Sequence, residues 1–285
     1  MRTRFWTILA VVCIALACDA KVVRDVAYDA SIGRFGLGDL YLPEKVTPET
    51  PAVLAIHGGG WGAGNRYSWS GGAEFFCRDL GCAVFNIEYR LASVTNRWPA
   101  CGDDCVKAAN WMFSDGFRER AGFSPKKIYI CGGSAGGHLT LWTLVNLPFE
   151  RVAGAVSISA IGDPLPDFRV HCGRYKGLFG AQVGEASLSA MDPVLKIRSG
   201  MAPVLCTHAT VDKVVPIASH RAFADAYRAA GNVCEFFEYP ETIREGLTGH
   251  CIWIPSSKPH RLIPEIETRI KVFMDRNGQT KGPLK

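Results

Sequence analysis

The chain has 285 residues, of which 48% are apolar and 21% charged, ordinary globular usage that excludes intrinsic disorder as its general state. Its 30 Gly and 16 Pro show no period, which excludes a collagen-like chain. The formal net charge of +5 is spread along the chain without a basic block, which argues against a nucleic-acid binder.

The first element in chain order is a targeting signal. Residues 1–20 read MRTRFWTILAVVCIALACDA, with Arg2 and Arg4 ahead of a twelve-residue apolar stretch from Phe5 to Leu16. Ala15 and Ala17 place small residues at a cleavage site, the pattern of a secretory signal peptide. Residues 1–20 are therefore expected to be removed and the protein exported, either periplasmic, secreted or held by a lipid on Cys18. The apolar stretch is too short for a comfortable membrane span. Nine of the eleven cysteines lie beyond this segment. Cys82, Cys131, Cys206 and Cys234 sit in apolar runs and read as small buried hydrophobes. Cys101 and Cys105 are the most plausible local pair, although their spacing inside a helix suits a bridge poorly.

The rest of the chain, 21–285, reads as one domain in which short apolar runs alternate with amphipathic stretches. Strands are expected at 38–42, 52–56, 82–87, 127–131, 154–159, 204–207 and 234–239. Helices are expected at about 71–80, 103–114, 135–146, 216–230 and 262–275. Continuous apolar strands separated by helices indicate an α/β fold, a doubly wound, mostly parallel sheet with helices on both faces. The irregular stretch at about 161–200 is long for a compact domain and reads as a cap or binding insert.

Chemistry concentrates at strand ends. Gly132-Gly133-Ser134-Ala135-Gly136 is a G-x-S-x-G turn between a strand and a helix, the context that a nucleophile elbow requires. Ser134 is the candidate nucleophile. The bland alternative is a Gly-rich turn ending in an N-cap serine. His57-Gly58-Gly59-Gly60-Trp61 closes the strand at 52–56 and supplies backbone N–H groups for an oxyanion hole. Gly59, Gly60 and Ala135 are the expected donors. Gly58-x-Gly60-x-x-Ala63 also fits a dinucleotide fingerprint, but that leaves the second Gly-rich turn unexplained.

In α/β hydrolases an acid and then a histidine follow such a serine along the chain. Asp212 follows the strand at 204–207, and His250 lies in a loop after the strand at 234–239. These are the candidate acid and base. Asp163, Asp192 and Glu241 are other loop acids, while His220 and His260 are the competing histidines, His220 reading as a helix-face residue.

With these residues in place, the chain over about 38–276 resembles the hormone-sensitive-lipase-like and feruloyl-esterase-like esterases of the α/β-hydrolase fold. The resemblance rests on His57–Trp61, on Gly132–Leu139, on His208–Pro216 with Ala209 where glycine is usual, and on Gly249-His250. It implies hydrolysis of short-chain or aryl carboxylic esters, among them esters of plant polysaccharides, by a Ser134-His250-Asp212 acyl-enzyme mechanism. It implies no cofactor, and no metal-ligand spacing is present. Kynurenine formamidase-like amidases and non-catalytic relatives are the alternatives. Small-molecule or oligosaccharide esters are the expected partners, with no nucleic acid and no membrane span. Trp61, Arg169 and His171 are the expected substrate contacts.

Overall fold

The computed structural model describes residues 20–240, 249–250, 252–254, 257 and 259–277. The signal segment, the lipid-anchor position Cys18 and the competing acid Glu241 lie outside the described residues. Eight strands form one sheet: β1 (Lys21–Ala27), β2 (Leu37–Leu42), β3 (Ala52–Ile56), β4 (Ala83–Ile87), β5 (Ile128–Gly133), β6 (Val152–Ile158), β7 (Val204–Ala209) and β8 (Cys234–Tyr239). Their order is β1-β2-β4-β3-β5-β6-β7-β8. β2 pairs antiparallel with β1 and β4, and every other pairing is parallel. The helices are α1 (Ser70–Glu74), α2 (Ala100–Trp111), α3 (Asp115–Ala121), α4 (Ala135–Asn146), α5 (Pro164–His171), α6 (Lys176–Phe179), α7 (Glu185–Leu188), α8 (Ile217–Ala229) and α9 (Pro264–Arg276).

The central strands are buried on both faces, and the two-residue period of a strand assigns side chains to two cores. In β3, Leu54 and Ile56 join the core that holds Ala108 of α2, Leu139 of α4 and Phe223 of α8. Val53 and Ala55 point the other way, into the core with Ala73 of α1 and Ile270 and Phe273 of α9. β1 carries Lys21, Arg24 and Asp25, is largely exposed and bulges between Val23 and Val26, so it shows no clean alternation. The 161–200 insert is not an irregular loop but a series of short helices around α5, α6 and α7. Among the described cysteines none is disulfide-bonded, and Cys101 and Cys105 are buried thiols on α2. Among the described residues no helix is long and apolar enough to cross a membrane.

This topology decides where chemistry can occur. In an open parallel sheet the loops at the carboxyl ends of the strands line one edge. The loops after β3, β5, β7 and β8 carry Gly58–Gly60, Ser134, Asp212 and His250 respectively.

Candidate active site

β5 turns into α4 within a single residue. Ser134 sits there at φ 57°, ψ −125°, a conformation that L-residues adopt only under strain. Its amide donates to Ile158 O at 2.8 Å, which fixes the turn against β6. The turn also needs glycine beside it. A Cβ on Gly136 would lie 2.3 Å from Ile56 O, and one on Gly132 would lie 2.5 Å from Gly136 O. Both obstacles are backbone, so neither can swing aside. Ser134 is therefore raised, half-buried, above the amino end of a twelve-residue helix. The strain is measurable: Ser134→Gly should be inactive yet more stable by about 1 kcal/mol, because glycine adopts positive φ without strain. A lower urea midpoint for Ser134→Gly would contradict this.

The loop after β3 comes up against the serine. A Cβ on Gly58 would lie 3.3 Å from Ser134 Cβ. Gly59, Gly60 and Trp61 all have positive φ, at 119°, 58° and 62°. Gly59 and Gly60 are exposed at the sheet edge, and Ala135 opens α4, where first-turn N–H groups have no intrahelical acceptor. The loop is anchored beneath by His57, which is buried, stacks on Tyr89 at 4.2 Å and accepts the Tyr89 hydroxyl on its carbonyl at 3.0 Å.

The candidate acid and the candidate base meet directly. His250 Nδ1 lies 2.6 Å from Asp212 Oδ2, and the Asp212 carboxylate is fully buried. Asp212 Oδ1 accepts the amides of Val214 at 2.8 Å and Val215 at 2.9 Å. Burial alone would raise the Asp212 carboxyl. The ring N–H groups of His208 and His250, the His250 charge and the Val215 amide overcome it and hold the carboxyl well below the usual carboxylate range. Gly249 delivers His250 at φ 76°, where a Cβ would lie 2.1 Å from Val211 O. Two residues later Ile252 packs against the serine turn, 3.0 Å from where a Gly133 Cβ would stand. Of the competing acids, Asp163 caps α5 and Asp192 caps a one-turn helix at Pro193–Lys196.

The expected substrate contacts are placed differently. Trp61 has no exposed surface, so it cannot offer a face to a ligand. Its Nε1–H donates to His138 Nδ1 at 3.2 Å. Indole N–H is only a donor, so His138 Nδ1 is the acceptor and His138 Nε2–H donates to Met191 O at 2.9 Å. Trp61 thus ties the oxyanion loop to α4 and the insert. Arg169 is exposed and paired with Glu185 at 3.0 Å. His171 is half-buried at the end of α5. Arg174 turns inward, onto Asp167 at 3.1 Å and Val214 O at 2.8 Å, and so braces the Asp212 loop.

His138 also couples stability to pH. Burial lowers it to about 4 from the ordinary 6.5, so it is neutral in the folded state and protonated when unfolded between those values. Its contribution is present above pH 6.5 and lost as pH falls toward 4. His220, lowered well below 6.5 by burial, acts in the same direction. Asp192, raised by burial to about 6, acts in the opposite one, gaining as pH falls. Two groups against one leave a net loss of stability between pH 7.5 and 5, to which His138 alone, falling from 6.5 to about 4, contributes about 2 kcal/mol. Urea unfolding at the two pH values checks it, and equal stabilities would refute it.

The family model described as BD-FAE matches residues 38–152. The probable carboxylic ester hydrolase LipM of Mycobacterium tuberculosis is 29% identical over 73% of this chain and 53% of that protein. An AB hydrolase superfamily protein of Schizosaccharomyces pombe is 35% identical over 35% of this chain and 29% of that protein. The chain thus spans about half or less of the curated relatives it matches. A truncated carbohydrate esterase from gut microbiota superposes with a TM-score of 0.74 at 20% identity, over 92% of this chain and 98% of that one. The native esterase 2 of Thermogutta terrifontis superposes with a TM-score of 0.69 at 23% identity, over 95% and 96%. These superpositions establish the fold, while the BD-FAE match spans the glycine loop at 57–61 and the glycine turn at 132–136. The chain has the α/β-hydrolase fold, and over residues 38–152 its sequence is similar to the family described as BD-FAE.

Proposed function

We propose that the protein is a serine carboxylic ester hydrolase working through Ser134, His250 and Asp212. The observation that carries the reading is the His250–Asp212 contact of 2.6 Å at the same sheet edge as the raised Ser134. With Nδ1–H donated to Asp212, His250 keeps its Nε2 lone pair for the Ser134 proton. Ser134 Oγ adds to the ester carbonyl, and the N–H groups of Gly59, Gly60 and Ala135 receive the negative oxygen. The imidazolium returns its proton to the departing alcohol. Water, deprotonated by His250, then cleaves the acyl-enzyme, and Ser134 regains its proton. Turnover of p-nitrophenyl acetate, with one organophosphate adduct on Ser134, tests this. Absence of both would leave a non-catalytic relative of the fold.

The acyl group is proposed to be short, acetyl above all, on a sugar or aryl alcohol. The insert's short helices support this, because none forms a long apolar lid. Trp98 and Trp253 support it as well, since both keep part of their rings exposed, whereas Trp61 and Trp69 are core. The N-terminal pattern supports export, and N-terminal sequencing of the mature protein checks both cleavage and lipidation. The specificity prediction is a kcat/KM order of acetyl over butyryl over octanoyl p-nitrophenyl esters, with activity on acetylated xylan or methyl ferulate. Preference for octanoyl with no activity on either plant-derived substrate would replace it with a lipid esterase.

A further inference from the structure

His208, the last-but-one residue of β7, has no exposed surface and lies behind Asp212 on the side away from solvent. Its Nε2 is 3.2 Å from Asp212 Oδ2, the oxygen that also receives His250, and 3.1 Å from Val215 O. Carboxylate and carbonyl oxygens only accept, so Nε2 must carry a proton, shared between them. Its Nδ1 is 3.1 Å from Nδ1 of His220, on α8 and equally buried. Two ring nitrogens at that distance hold one proton between them. His208 is thereby fixed from both ends, with its proton aimed at the acid.

We propose that His208 is a positioning residue, a second N–H donor on Asp212 Oδ2 that competes with His250 and limits how strongly the carboxylate holds a proton on the base. This rests on the proposed esterase reading for its consequence, but not for its geometry. A donor on a carboxylate draws charge away from its other partner. Removing it strengthens the Asp212–His250 interaction and favours the imidazolium. The sign is the same whether the His208–His220 pair is neutral or carries a charge, because loss of a nearby positive charge also favours imidazolium.

The other charged groups facing this cluster stay constant between variants. Glu238 pairs with His208 across the β7–β8 ladder and is held by Arg221 at 2.6 Å. Asp167 faces Asp212 from the insert and is held by Arg174 at 3.1 Å.

The test is an NMR titration of the His250 ring together with the pH profile of kcat/KM, in the wild type, His208→Phe and His208→Gln. In His208→Phe the His250 titration and the acid limb should both move up by about half to one pH unit. His208→Gln, whose amide restores a donor, should fall between Phe and wild type. A folded His208→Phe whose His250 titrates with the wild type overturns the proposal. The wild type alone decides it if His208→Phe does not fold: His208 should be Nε2-protonated from pH 5 to 9, and an unprotonated Nε2 overturns it. The ring titration needs no turnover. A protein that hydrolyses no ester but shows the shift would therefore defeat the esterase reading and leave the role of His208 intact.

Discussion

Ser134→Ala and His250→Ala should each reduce kcat/KM for p-nitrophenyl acetate by on the order of 10⁴-fold or more, with folding unchanged. The first removes the only oxygen raised at the elbow, where the Ser134 φ of 57° and the neighbouring glycines present it. The second removes the proposed base, which lies 2.6 Å from Asp212. Neither side chain holds the structure together. Ser134 fixes its turn through its own amide to Ile158 O, and His250 is joined to the fold by Gly249 and Ile252 on either side. Because the two act as one device, the double variant should be no slower than either single one. Residual activity would come from the N–H groups of the oxyanion loop and α4. Near-normal turnover by His250→Ala would require another base. The structure gives no support to His220, which is buried against His208, and His250→Ala is therefore decisive for the assignment.

The placement of Ser134, Asp212 and His250 at one sheet edge could be read from the sequence because each follows an apolar strand, and strand ends are where period and composition change together. The two glycine turns could be read for a related reason: a Cβ at Gly59, Gly132 or Gly136 would fall within 2.5 Å of neighbouring backbone, which leaves no residue type but glycine there. Side-chain direction was not legible. Trp61 reads as a ligand face because it is a flat aromatic ring in a loop at the candidate site, yet the positive φ that it shares with Gly59 and Gly60 turns its ring inward onto His138. His220 looked like a helix-face residue. α8 is amphipathic, and His220 falls on its buried side with Phe223 and Ala224, a position that polar periodicity alone cannot distinguish from solvent exposure. His208 carries no signal as a base because it precedes the acid in the chain, although the β7 turn brings its ring back to within 3.2 Å of Asp212. Arg174 reads, with Arg169 and His171, as a substrate-side residue, and its bracing role carried no local signal, since its partners Asp167 and Val214 are 7 and 40 residues away. β1 was invisible because an exposed, bulged edge strand has no buried face to impose alternation.

Asp212→Asn should cost roughly 10³- to 10⁴-fold in kcat/KM while changing almost no atom positions. The reason lies in which oxygen is free to change. Oδ1 accepts two backbone amides, from Val214 at 2.8 Å and Val215 at 2.9 Å. An asparagine must keep its carbonyl oxygen there, because an NH₂ group facing two N–H donors would leave all of them unpaired in a buried site. The NH₂ group then occupies the Oδ2 position, 2.6 Å from His250 Nδ1 and 3.2 Å from His208 Nε2, whose N–H keeps Val215 O as its acceptor. It is a donor, so Nδ1 becomes the acceptor and the imidazole proton moves to Nε2. Nε2 now carries a hydrogen where it must accept one from Ser134. The base is present, in place and in the wrong tautomer. Asp212→Ala lacks that donor and leaves His250 free to reach either tautomer, so it should be no slower than Asp212→Asn despite removing more of the side chain. Steady-state kinetics of the two variants at pH 8, with long-range ¹H–¹⁵N spectra reading the His250 tautomer, checks this. An Asp212→Asn enzyme with wild-type turnover, or one whose His250 keeps its proton on Nδ1, would remove Asp212 from the mechanism.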